Sequence, residues 1–70
     1  MNNIRVFREK KGVSQQKFAE SVCVSRSTVS MWETGRTNPT ASKFVKIASF
    51  LGCTVDDLLR EEKIKNVKRN

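Results

Sequence analysis

Only three residues, Cys23, Val24 and Ser25, separate two short amphipathic patterns in this chain, and that spacing limits the fold more than any other feature. Upstream, Ser14 offers a hydroxyl N-cap to QQKFAESV, where Phe18, Ala19 and Val22 share one face at i, i+1 and i+4. Downstream, Ser25 caps a segment from Arg26 to Glu33 or Thr34, which Gly35 ends. A link this short forces the two helices to cross steeply and pack. Phe18, Val22, Val24, Val29 and Trp32 must then enter the seam and the core, and a small residue must sit at closest approach. Ala19 is that residue.

The same punctuation continues on either side. Asn3 to Lys11 carries Ile4 and Phe7 on one face, and Gly12 follows as a left-handed cap, which predicts a first helix. Asn38 and Pro39 make a turn, and Thr40 caps a longer helix in which Ala41, Phe44, Ile47, Ala48 and Leu51 recur at spacings of three and four up to Gly52. Thr54 and Asp57 form a shortened capping box for a fifth helix with Val55, Leu58 and Leu59 on its apolar side. No strand pattern competes. The expectation is an all-α, compact five-helix domain over residues 1–59, with 60–70 a charged tail or an extension of the fifth helix.

With 70 residues there is room for one domain and a small core. Fourteen Lys and Arg against seven Asp and Glu give a net charge of +7, which favours an anionic partner such as nucleic acid or an acidic membrane surface. The lysines are scattered and do not line one amphipathic helix, which argues against the membrane. No window reaches the ~18 apolar residues of a membrane span, and the N-terminus lacks the apolar run of a secretory signal, so a cytoplasmic location is expected. Two cysteines, Cys23 and Cys53, without any histidine exclude a credible zinc site or disulfide framework; both fit as buried small hydrophobes. No cofactor is expected. An enzyme is rejected as well, since there is no paired nucleophile and base and no phosphate-cradling glycine loop.

The chain resembles the lambda-repressor and Cro type of helix-turn-helix domain, the XRE family, from about Ile4 to Leu59. The resemblance rests on GVSQQKFA (12–19), VSRSTVSMWETGRTNP (24–39), ASFLG (48–52) and VDDLL (55–59), with Trp32, Glu33, Gly35 and Pro39 its most specific part. One departure is Cys23, which stands at a left-handed turn position where the family most often has glycine. The resemblance implies helices 2 and 3 as the helix-turn-helix, with helix 3 in the major groove of double-stranded DNA.

At 100° per residue with Val29 at zero, Trp32 sets the buried direction near roughly 330°, and Ser27, Met31 and Ser30 fall at roughly 160°, 200° and 100°. Arg26 lies at the margin of that outward face with the reach to join it, Thr28 lies on the other flank, and Ser25 crowns the N-terminus. The family's base-contacting positions fall on Ser25, Arg26, Ser27, Ser30 and Met31. Short side chains let a helix enter a groove about 12 Å wide, Arg26 matches guanine O6 and N7, and Met31 suits a thymine methyl. Without the flanking motif, Ser27 and Ser30 would read as ordinary solvated serines.

Gripping is expected elsewhere. Gln15 opens helix 2, where free backbone N–H groups and the helix dipole suit a phosphate. The resemblance places Arg36, Thr37 and Asn38 along the sugar-phosphate backbone, and Lys43 is a candidate to join them from helix 4. Lys10, Lys11 and Lys17 supply long-range attraction. Glu33 is half covered by its phase, which is costly for an isolated carboxylate; the resemblance implies an ion pair with Arg8.

These features predict a sequence-specific transcriptional regulator, a repressor that binds a palindromic operator as a homodimer, with no small-molecule effector. Phe50, Val55, Leu59, Ile64 and Val67 are the candidate dimer surface. The alternative is a protein-binding adaptor such as the antitoxin of a toxin pair, for which the tail is short.

Overall fold

Four helices start on a hydroxyl that accepts a backbone N–H three residues on: Ser14 from Lys17, Ser25 from Thr28, Thr40 from Lys43 and Thr54 from Asp57. In the computed structural model, which describes residues 2–60, they follow a first helix in the order α1 (Ile4–Lys11), α2 (Gln15–Ser21), α3 (Arg26–Thr34), α4 (Ala41–Leu51) and α5 (Val55–Leu59). Gly35, at φ 82°, ends α3 in the left-handed conformation that other residues adopt at a cost. Among the described residues there is no strand, and no helix is long and apolar enough to cross a membrane.

The helices share one core. Ile4 of α1 meets Phe18, Ala19 and Val22 of α2, Val29 and Trp32 of α3, Phe44, Ile47, Ala48 and Leu51 of α4, and Leu58 of α5. Ala19 is almost wholly covered, which lets the α2 and α3 backbones come close. The chain reverses between them through two hydrogen bonds, Cys23 N–H to Glu20 O at 3.3 Å and Val24 N–H to Ala19 O at 3.0 Å. This pairing closes a helix end around a left-handed residue. Here that residue is Cys23, at φ 62°, and Lys43 reaches across from α4 to donate its ammonium to Val22 O at 3.1 Å.

At five residues, α5 is too short to persist on its own hydrogen bonds. Its start is held by the capping box, in which Thr54 N–H donates to Asp57 Oδ2 at 3.1 Å. That backbone bond, followed by the Thr54 hydroxyl, holds the Asp57 carboxyl below the usual range. Its end is held from α1: Asn3 N–H donates to Leu58 O at 2.8 Å, and Asn3 Nδ2 donates to Asp57 O at 3.0 Å and Arg60 O at 2.7 Å. Asn3 therefore precedes α1 without capping it through its side chain, and α1 starts at Ile4.

Several expectations need correction. Arg60 is extended at φ −68° and ψ 141°, so α5 does not continue through it, and the rest of the expected tail lies outside the described residues. Ala41 is exposed, and the buried residue at that end of α4 is Pro39 in the preceding turn. Cys23 is exposed because its left-handed backbone sits at the outside of the reversal, while Cys53 is partly covered and burial pushes its thiol up. Phe50 is less available as a free face than its phase suggested, for it stacks on Phe18 with centroids 5.8 Å apart and lies under the Lys11 ammonium.

The strain at Cys23 is testable. Glycine removes a backbone penalty of roughly 1–2 kcal/mol but adds freedom to the unfolded chain, so Cys23→Gly is expected to stabilise by about 0.5–1 kcal/mol. Urea unfolding showing no gain would mean that the turn imposes no strain.

Candidate nucleic-acid interface

The orientation of α3 follows from which of its side chains are buried. Val29 and Trp32 enter the core, and Glu33 is the third buried residue of the helix. The opposite side therefore carries Arg26 and Ser27 exposed, with Ser30 and Met31 half-buried beside them. Asn2 fixes the far end, donating its amide to Trp32 O at 3.3 Å. Ser25 fixes the near end: its Oγ accepts Thr28 N–H at 3.2 Å and lies 2.9 Å from Thr28 Oγ1. Ser25 is thus engaged in capping as well as facing outward.

Gln15, Arg26, Ser27 and Ser30 line an open recess of about 310 Å³ between the start of α2 and the outer face of α3. This gathers three expected reading residues with one expected phosphate residue. The Gln15 side chain is committed differently from the expectation: its Nε2 donates to Glu33 Oε1 at 3.0 Å, leaving one amide hydrogen and the carbonyl oxygen for a partner. Ser14 Oγ takes the Lys17 N–H at 3.0 Å, and the N–H groups of Gln15 and Gln16 have no intrahelical acceptor and suit an anion.

Glu33 is 7% exposed and Arg8 9%. Arg8 Nε donates to Glu33 Oε2 at 2.6 Å and Nη2 to Oε1 at 3.2 Å, a two-pronged pair, while Arg8 Nη1 donates to Val13 O at 2.8 Å. Hydrogen bonding to Glu33 raises the Arg8 guanidinium above its usual range despite burial. This cation is spent inside the domain. Glu33 in turn joins α1, the start of α2 and α3.

After Gly35 the chain stays close to α3, with Arg36 N–H donating to Met31 O at 2.9 Å, and Arg36, Thr37 and Asn38 all exposed. Lys43, expected to join them, reaches toward α2. Its ammonium serves the C-terminal end of α2, where carbonyls and the negative end of the dipole attract a cation.

Two helices crossing tightly through a short left-handed turn, the second with its outer face open and polar, define a helix-turn-helix. A family model described as helix-turn-helix matches residues 4–58, and the chain belongs to that family, the XRE-type DNA-binding transcriptional regulators. It is 33% identical over 61 residues to an HTH-type transcriptional activator, BcrR, of Enterococcus faecalis, covering 87% of this chain and 30% of that protein. The chain thus spans under a third of that relative's length. It is 38% identical over 55 residues to an uncharacterized HTH-type transcriptional regulator of Archaeoglobus fulgidus, covering 79% of each. A crystal structure of a hypothetical transcription factor from Neisseria superimposes with a TM-score of 0.81 at 34% identity, covering 91% of this chain and 74% of that one.

Sequence reasoning missed the bonds by which Asn2 holds the end of α3 and Asn3 the end of α5. The buried pair gives the sharpest test of how the interface is supported. Arg8→Met leaves a covered carboxylate with Gln15 as its remaining side-chain donor, and is expected to cost about 3–5 kcal/mol. Arg8→Met combined with Glu33→Leu is expected to cost much less than the summed single changes in a double-mutant unfolding cycle. Additive losses would contradict the pairing.

Proposed function

We propose that this domain regulates transcription in the cytoplasm as a homodimer on a palindromic duplex site, with α3 in the major groove, and that it acts as a repressor. The observation that carries this reading is the recess where Arg26, Ser27 and Ser30 of α3 meet Gln15 of α2. In that arrangement α3 reads base edges while the first turn of α2 and the loop 36–38 grip the flanking phosphates. Arg26 is the strongest reader, since a guanidinium on guanine O6 and N7 is worth about 1–3 kcal/mol of discrimination. Ser27, Ser30 and Met31 add shorter contacts, and Ser25 approaches from the cap. Arg36, Thr37 and Asn38 set register without reading sequence.

One copy presents one short helix, and two copies about 34 Å apart supply the specificity that one lacks. Leu59, 54% exposed on α5, together with half-covered Val55 marks the surface we assign to dimerisation; Ile64 and Val67 lie outside the described residues. Repression needs only occupancy of the site. The activator from Enterococcus shows a relative named for the opposite effect, so a promoter-reporter assay decides the direction.

Selection of bound sites from random duplex DNA tests the assignment. Arg26→Ala is expected to erase preference at one symmetric position per half-site, whereas Arg36→Ala is expected to weaken all sequences alike and to lower the salt slope by about one. A uniform loss with Arg26→Ala would make it a phosphate contact. Sedimentation at high micromolar concentration is expected to give a dimer, with a Leu59→Lys variant shifted to monomer; a wild-type monomer would rule out a dimer in free solution.

A further inference from the structure

We infer that the buried Arg8–Glu33 pair sets which way round the Gln15 amide faces, and that Gln15 is thereby a positioning residue for Arg26. This rests on the reading of α3 as the groove-facing helix. Glu33 accepts at both oxygens: Oε2 takes Arg8 Nε at 2.6 Å, and Oε1 takes Arg8 Nη2 at 3.2 Å and Gln15 Nε2 at 3.0 Å. A carbonyl oxygen turned to that carboxylate would set two acceptors against each other, so the amide nitrogen faces inward. Gln15 Oε1 is left for the recess that the residue lines.

Of the other side chains lining that recess, Ser27 and Ser30 carry hydroxyls that turn to donate or to accept, whereas Arg26 has donors only. Gln15 Oε1 is the acceptor whose direction is fixed. Arg26 is exposed, and among the described residues no carboxylate pairs with it, so its long side chain keeps its rotamer freedom. Reading guanine requires that freedom to be given up, because two N–H groups of the guanidinium must lie in line with O6 and N7. A further N–H of the same fork bonds to Gln15 Oε1 as the duplex is engaged, which holds the guanidinium plane. The second Gln15 amide hydrogen stays available to a phosphate oxygen. One side chain then links the core ion pair, the strand and the reading arginine.

Two substitutions separate positioning from grip. Gln15→Met removes both the carbonyl and the amide hydrogens without adding charge. Gln15→Lys keeps a donor for Glu33 and for a phosphate but offers Arg26 no acceptor. The experiment is selection from random duplexes with wild type, both variants, Arg26→Ala and the Gln15→Met, Arg26→Ala double variant, each first checked for a cooperative thermal transition. Arg26→Ala identifies the base position that Arg26 reads.

At that position both Gln15 variants are expected to lower the preference for guanine by roughly five-fold, and Gln15→Met is expected to change nothing further there once Arg26 is alanine. If Gln15→Met weakens all sequences alike and keeps the guanine preference, Gln15 is a phosphate contact alone and the proposal is overturned while the reading of α3 stands. Loss of preference at a different position would make Gln15 a base reader in its own right, and loss with Gln15→Lys alone would mark charge repulsion; either overturns the proposal. A wild type that enriches no sequence overturns the reading of α3 as well.

Discussion

The Glu33 carboxylate is buried at the junction of three helices, and the geometry of the outer face depends on how it is satisfied. Arg8 supplies two donors from α1 and Gln15 one from the start of α2, so that a residue of α3 is bonded to both of its neighbours at once. Removing a charge from water costs several kcal/mol, and the protein recovers this only while all three groups stay in register. The apolar seam brings α2 and α3 together, but apolar contacts are non-directional. The hydrogen-bonded carboxylate sets the angle at which Gln15 and Arg26 come to line one recess.

A division of labour among the cations follows. Arg8 is enclosed, Lys43 closes the end of α2, and Lys10 and Lys11 lie over the rings of Phe7 and Phe50. Arg26 and Arg36, both exposed, are left at the two ends of α3. Among the described residues, several cations are therefore engaged inside the domain or over its aromatic rings, and the outer face of α3 carries mainly hydroxyls.

Much of this architecture was legible because its causes are local. Capping hydroxyls at Ser14, Ser25, Thr40 and Thr54, and glycines at 12, 35 and 52, mark helix ends within a few residues of the atoms they bond. The left-handed turn at Cys23 followed from the family resemblance, and the outward phase of Ser27, Ser30 and Met31 from Val29 and Trp32. What escaped were bonds that join distant parts of the chain. Asn3 closes the end of α5, Asn2 the end of α3 and Lys43 the end of α2, and a polar side chain aimed at a remote carbonyl leaves no periodic trace. The bond from the Gln15 amide to Glu33 escaped for the same reason, since position alone marked Gln15 only as facing an anion.

The central claim is that the face formed by the start of α2, the outer side of α3 and the loop after it is the one that meets the duplex. Amide NMR shifts recorded while duplex DNA is titrated into the labelled protein address it directly. The account predicts the largest changes at Gln15, Arg26, Ser27, Ser30 and residues 36–38, with the solvent side of α4 around Val45 and Ser49 unchanged. Changes centred on α4, with α3 silent, would contradict it.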